Sequence, residues 1–196
     1  MKHIGILIFD GVEELDAVGP WEVLAWWALN FPDDGYRVSF VSRTGQAVMA
    51  AKGLTLTPHT STDEADPYDI FLHPGGQGTR DLMRDEQYLE WIRAVASRTP
   101  LMTSVCTGSL VYAAAGLLHD RPATTHWASM NLLTELDPTI HPRPEERWVD
   151  DGDIVTSAGV SAGIDMTLHL VRRLIGVDRA SQVAREIEYV PRPPIL

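Results

Sequence analysis

Apolar and polar positions along this chain follow two periods. Residues 4–9 (Ile-Gly-Ile-Leu-Ile-Phe) form an almost unbroken apolar run, which predicts a parallel strand buried on both faces. Residues 36–42 alternate as a half-buried strand, and 70–73 and 101–105 are short apolar strands. Residues 48–50 and 54–57 read as short strands around Lys52-Gly53. Helical spacing covers 21–29, 80–97, 108–115, 127–136, 164–175 and 178–186. Pro20 suits the first position of the first helix, and Gly116 and Gly176 lie just past helix ends. Asp137-Pro138 closes another helix. Residues 147–150 and 154–157 flank Asp151-Gly152, a strong hairpin signal. Residues 123–126 read as a short strand, 60–69 as polar connection, and 189–194 as an ordered or draping tail.

Strands that alternate with helices predict an α/β sandwich with a mostly parallel central sheet, helices on both faces and one β-hairpin. No linker, repeat or low-complexity tract interrupts it, so residues 1–196 read as a single domain. In such folds ligands sit at the carboxyl ends of the strands. Trp21, Trp26 and Trp27 exceed what one helix face needs. They could be core, a pocket wall or a subunit interface, with core expected for at least one.

A net charge of −11 and a pI near 4.9 argue against nucleic-acid binding, which needs a basic face, and against anionic membranes. The N-terminus does not read as a signal peptide and no apolar run reaches membrane-spanning length, so a cytoplasmic protein is expected. One cysteine permits no internal disulfide, and the His and Cys spacing carries no zinc signature.

That cysteine, Cys106, stands between the strand at 101–105 and the helix from Gly108. Ser104-Val-Cys-Thr-Gly108 has the form small-x-nucleophile-x-small, whose small flanks allow a sharp nucleophile elbow. A helix that starts just after the sulfur would lower its pKa and favour the thiolate. The plainer reading is a buried apolar filler. Pro74-Gly75-Gly76-Gln77-Gly78 follows the preceding strand. It could cradle phosphate, although it lacks P-loop residues; it could be a plain turn; or its N–H groups could form an oxyanion hole, the best reading beside a cysteine elbow. Asp16 reads as a solvated or capping carboxylate when taken alone. His126 could be a base, a pocket wall or a satisfied buried histidine, the structural role being favoured. Asp165 is explained as a helix-start residue.

These residues carry a resemblance that runs nearly end to end: Ile8-Phe-Asp-Gly, Leu15-Asp-Ala-Val-Gly-Pro20, His73-Pro-Gly-Gly76, Ser104-Val-Cys-Thr-Gly108, Ala115-Gly-Leu-Leu118, Ala123-Thr-Thr-His-Trp127 and Thr156-Ser-Ala-Gly-Val-Ser-Ala-Gly-Ile-Asp165. The chain resembles the ThiJ/PfpI superfamily, which implies a class I glutamine-amidotransferase-like, flavodoxin-like fold. Within it, an acidic residue in Leu-Asp-x-x-Gly-Pro together with Cys-Thr at the elbow is similar to the isonitrile hydratases. The peptidase branch carries His where this chain has Thr107, and the glyoxalase-like branch commonly has Glu where it has Asp16. AraC-type regulators share the motifs, but no helix-turn-helix domain fits after residue 196, so a complete regulator is not expected.

The resemblance implies a cysteine-dependent hydro-lyase for a small molecule. Cys106 would be the nucleophile, Asp16 the proton-handling partner, and Thr107 the residue that orients substrate or water. Gly19, Gly75, Gly76 and His126 would bind substrate or developing charge. No metal or organic cofactor is required, and a homodimer is expected. The alternatives are a ligand-binding or redox-sensing protein, or a hydrolase or glyoxalase acting on another small electrophile.

Overall fold

The apolar run near the N-terminus forms the middle of the sheet. In the computed structural model, which describes residues 1–192, the first elements are β1 (Lys2–Leu7), α1 (Glu14–Asn30), β2 (Tyr36–Ser42), β3 (Val48–Met49), β4 (Thr55–Leu56), β5 (Thr60–Ser61) and β6 (Ile70–His73). Then come α2 (Thr79–Leu82), α3 (Glu86–Ala96), β7 (Leu101–Val105), α4 (Gly108–Ala114), β8 (Pro122–Ala123), α5 (Met130–Leu136) and β9 (His141–Pro142). The chain ends with β10 (Trp148–Asp150), β11 (Ile154–Ser157), α6 (Ala162–Leu174) and α7 (Val177–Glu186). The seven-stranded sheet has the order β10-β11-β7-β6-β1-β2-β5. Every pairing in it is parallel except β10 with β11, the expected hairpin.

Successive side chains of a strand face opposite sides, and β1 supplies both layers. Ile4 and Ile6 pack with Val23, Leu24 and Trp27 of α1 and with Met166 and Leu170 of α6. Leu7 packs on the other side with Leu89 and Ile92 of α3 and Leu110 of α4. The strand order leaves β1 in opposite directions toward β2 and β6. The crevice at this switch point lies at the carboxyl ends of β1 and β6, where α/β folds place their ligands.

Several elements depart from the sequence reading. Helix α1 begins at Glu14, so Pro20 lies inside it rather than at its start. The acidic first turn, Glu14 and Asp16, suits a helix N-terminus. Residues 80–97 split into two helices because the Asp85 carboxylate accepts the Tyr88 N–H at 3.2 Å and caps a new start. Thr60-Ser61, inside the stretch read as polar connection, forms a two-residue parallel edge strand on β2. The strand read at 123–126 is confined to Pro122–Ala123, because the next two residues turn their hydrogen bonds elsewhere. Thr124 N–H donates to Thr156 Oγ1 and Thr125 Oγ1 to the Cys106 carbonyl.

The tryptophans pack within the chain. Trp27 is fully buried, and its indole N–H donates to Asp34 at 2.7 Å. Trp21 stacks on Phe40 and His59, and Trp26 meets Phe31 edge-on. Trp27 is thus core, as expected for at least one of the three, whereas Trp21 and Trp26 are half-buried. Of the tail at 189–194, the last two residues lie outside the described residues. Before them, Tyr189 Oη–H and Arg192 N–H donate to Asp165. No helix among the described residues is long and apolar enough to cross a membrane.

Candidate active site

Parallel register brings three loops together. His73 pairs with Ser104, so the glycine loop after β6 lies beside the elbow after β7. Val12 bridges to Gly76, and Glu13 N–H donates to the Gly75 carbonyl at 2.9 Å, which ties the loop after β1 to the same place. Asp16, in the first turn of α1, is fully buried there.

Cys106 has φ 57°, in the left-handed region that non-glycine residues seldom occupy. The sharp turn of an elbow is therefore present. Its carbonyl accepts Thr125 Oγ1 at 2.9 Å and Ser109 Oγ at 3.1 Å, which fixes the turn from two sides. Gly108 is needed behind it, because a Cβ there would lie 2.2 Å from the His73 carbonyl oxygen. His73 is itself fully buried. Its Nδ1–H donates to the Pro74 carbonyl, so its Nε2 accepts from Tyr88 Oη–H. Burial pushes its pKa down to about 4 and keeps it a neutral structural strut beneath the loop.

Asp16 Oδ2 accepts the Gly75 N–H at 2.9 Å, whereas Oδ1 is buried without a hydrogen-bond partner. Burial raises the Asp16 carboxyl to about 7, against the pull of the Gly75 N–H. Burial also pushes the Cys106 thiol up, to about 12, and the neighbouring Asp16 carboxylate adds to the rise. The backbone N–H groups of Thr107 and Val160 draw it the other way without overcoming burial. The expectation of a low thiol pKa is thus corrected: a buried sulfur beside a carboxylate resists ionisation more than a helix start favours it. The two groups titrate as a pair, which holds one proton between the first and second ionisations.

The glycine loop also departs from expectation. Gly75 N–H is engaged by Asp16, and Gly76 N–H donates to Thr107 Oγ1 at 3.0 Å, so neither is free to serve as an oxyanion donor. The loop instead lets three groups approach closely. A Cβ on Gly75 would lie 2.5 Å from Thr107 N and 2.8 Å from Asp16 Oδ2. Thr107 Oγ1 is likewise committed: Thr79 Oγ1 lies 3.0 Å away and Gly76 O 3.3 Å away. Its hydroxyl braces the loop, while its backbone N–H faces the sulfur.

Gly19 lies on the packing side of α1. A Cβ there would meet Ile164 Cγ1 of α6 at 3.0 Å, so its role is helix packing and not substrate contact. His126 sits half-buried at the rim. Its Nδ1 accepts the Ala128 N–H at 3.2 Å, and its ring lies against Gly159, where a Cβ would be 2.4 Å from Cδ2. It therefore borders the loop that carries Val160.

Val160 is the residue that sequence reasoning missed. Its φ of 50° is exceptional for a β-branched residue, and that conformation presents its N–H to the sulfur. Gly159 beside it was the only hint. Asp165 holds this segment to the tail and to the residue that precedes β10: it accepts from Arg147 Nε at 2.7 Å and from Arg192 N–H at 2.8 Å. Arg147 also donates to Ser161 Oγ at 3.4 Å. Among the described residues, no group of three or more His, Cys, Asp or Glu could hold a metal ion.

With this geometry in view, the comparisons are specific. Isonitrile hydratase from Pseudomonas putida is 44% identical over 193 residues, which cover 98% of this chain and 80% of that protein. The HTH-type transcriptional regulator GbdR of Pseudomonas aeruginosa is 28% identical over 96% of this chain, which spans only 51% of the regulator. A ThiJ/PfpI family protein from Pseudomonas syringae has a crystal structure that superposes with a TM-score of 0.85 at 30% identity, covering 98% of this chain and 77% of that one. Residues 2–173 match the family as a whole, sheet, elbow and glycine loop included, and the chain belongs to the DJ-1/PfpI family.

Proposed function

We propose that this protein hydrates an isonitrile, R–N≡C, to an N-substituted formamide. The observation that carries the proposal is the buried Asp16–Cys106 pair, whose carboxyl is raised to about 7 and so exchanges protons near neutral pH. The similarity to isonitrile hydratase supports it.

The thiol adds across the terminal carbon. Sulfur forms the C–S bond while protonated Asp16 delivers a proton to the same carbon and recovers one from the thiol. The product is a thioimidate, R–N=CH–S–Cys106. Asp16, protonated again, gives that proton to the imine nitrogen, and the carboxylate so formed takes a proton from water as its oxygen attacks the carbon. The C–S bond then breaks, releasing R–NH–CHO and restoring the thiol. Thr107 and Val160 N–H groups stabilise charge on sulfur as that bond forms and breaks. Water is the only co-reactant.

The test incubates wild type, Cys106→Ala and Asp16→Asn with a small aliphatic isonitrile and follows formamide by NMR. Wild type should turn over, and Cys106→Ala should not. Asp16→Asn should lose about 10²–10⁴-fold, the usual worth of a general acid–base group. The similarity to GbdR favours a second reading, in which the site captures a ligand without converting it. Saturable binding with no formamide would establish that reading instead.

A further inference from the structure

Asp165 has more partners than a helix start needs. Its side chain is only 1% exposed, and a carboxylate so deeply buried must be met by charge and hydrogen bonds. Arg147 supplies the charge: its Nε donates to Oδ2 at 2.7 Å, and Nη2 closes the ion pair. Tyr189 Oη–H donates to Oδ2 at 3.2 Å, and Arg192 N–H to Oδ1 at 2.8 Å. A buried pair of this kind adds little net stability over apolar packing, and what it can supply is a fixed geometry.

The segment within its grip is the one that faces the cysteine. Residues 158–161 join β11 to α6, and Arg147 holds this connection at both ends. Arg147 stands one residue before β10, where Trp148 pairs with Ser157. At the strand end its carbonyl accepts the Ala158 N–H at 2.9 Å. At the helix end its guanidinium donates to Ser161 Oγ at 3.4 Å and to Asp165. Around and between the two grips the chain meets the elbow. The Ser157 and Ala158 carbonyls both accept the Cys106 N–H at 3.1 Å, and Val160, at φ 50°, presents its N–H to the sulfur. A β-branched residue keeps such a backbone only where its surroundings over-determine it.

We infer that Arg147 is a positioning residue for the cysteine: by clamping Ala158, Ser161 and Asp165 it keeps the Val160 backbone left-handed and its N–H on the sulfur. A guanidinium suits this task, because its planar fork reaches two acceptors at once, whereas an ammonium is a single point charge. The inference concerns the ionisation of Cys106. It holds whether the site converts a ligand or only captures one, and so stands or falls independently of the isonitrile reading.

The experiment compares wild type with Arg147→Lys, with Ser161→Ala, and with the double variant Arg147→Gln, Asp165→Asn, which strands no charge in the interior. On each folded protein it measures the rate of Cys106 alkylation by iodoacetamide at pH 8 and the ¹⁵N–¹H resonance of Val160. Arg147→Lys and the double variant should alkylate about tenfold more slowly, as for the loss of one hydrogen bond to a charged group. The Val160 resonance should shift in both, while that of Gly75, bonded to Asp16, stays in place. Ser161→Ala loses one grip and should move the same way by less. If the other variants do not fold, the exposed Ser161→Ala carries the test. A merely structural pair would lower the melting temperature and leave the alkylation rate of the folded protein unchanged. Folded variants that alkylate at the wild-type rate or faster, or whose Val160 resonance does not move, would overturn the proposal.

Discussion

Val160 and Cys106 are both held at positive φ, 50° and 57°, and the Val160 N–H is turned toward the Cys106 sulfur. A β-branched residue in this region stores roughly 1–3 kcal/mol of strain. In this conformation the Val160 N–H acts on the sulfur and favours its ionised form. Val160→Gly adopts the same φ without strain, less a little burial, so stability should rise by about 1 kcal/mol, or roughly 2–4 °C in melting temperature. Thermal unfolding reads this directly. A melting temperature that falls would show that the Val160 side chain contributes more by packing than its backbone costs.

Two glycines that looked alike in the sequence should part company on mutation. Gly75→Ala puts a methyl 2.5 Å from Thr107 N and 2.8 Å from Asp16 Oδ2, so it must wedge the site open. A displacement of that size at reacting groups costs about 10²-fold in rate. Gly19→Ala meets Ile164 Cγ1 at 3.0 Å, with Ile164 Cδ1 and Leu15 Cδ1 at ordinary contact distance, so a shift of a few tenths of an ångström in side chains accommodates it. It should lower the melting temperature slightly and leave turnover near wild type. Equal loss of turnover in the two variants would return Gly19 to the substrate site.

The parallel sheet, the hairpin and the elbow were legible because each has a local signature: apolar runs of strand length, Asp-Gly between two strands, and small residues around a lone cysteine. The meeting of Asp16 with Gly75 was legible only through strand order, since 59 residues separate them. What stayed hidden depends on where hydrogen bonds go. Nothing in Gly75-Gly76 says that both N–H groups are spent on side chains, and nothing in Val160 announces a left-handed backbone. Pro20 misled because its preference for a helix start is real, but α1 gains an acidic first turn by beginning at Glu14. The sign of the Cys106 shift was also hidden, because local sequence shows the helix start and not the depth of burial.

Alkylation of Cys106 should report the pair. With the thiol pushed up to about 12, wild type should react slowly with iodoacetamide at pH 8 and accelerate without a plateau through pH 10. Asp16→Asn removes the carboxylate charge that disfavours the thiolate. Each unit of thiol pKa relieved gives about tenfold more thiolate at a given pH. The variant should therefore alkylate faster than wild type at pH 8, opposite to the loss of turnover that the proposed chemistry expects of it. A slower variant would mean that Asp16 serves the sulfur as a base even at rest.

The same pair gives stability a pH dependence of known sign. Asp16 has a folded pKa of about 7, against about 3.9 in an unfolded chain. Between those values the folded protein binds the extra proton, so this group's contribution to stability falls as pH rises from 4 to 7 and is level above 7. The full shift corresponds to about 4 kcal/mol lost across that window. Other carboxylates, such as Asp34 with Arg179 and Asp153 with Arg121, are held below their usual pKa and act in the opposite direction. The wild-type curve alone therefore mixes the two. The difference between Asp16→Asn and wild type isolates the term. Asn cannot ionise, yet its carbonyl can still accept the Gly75 N–H, so the variant's advantage should grow from pH 5 to pH 8 and then stay constant. Urea unfolding at matched pH values measures it. A difference that does not change with pH would show that Asp16 titrates near an ordinary carboxylate, and would remove the proton donor on which the proposed hydration rests.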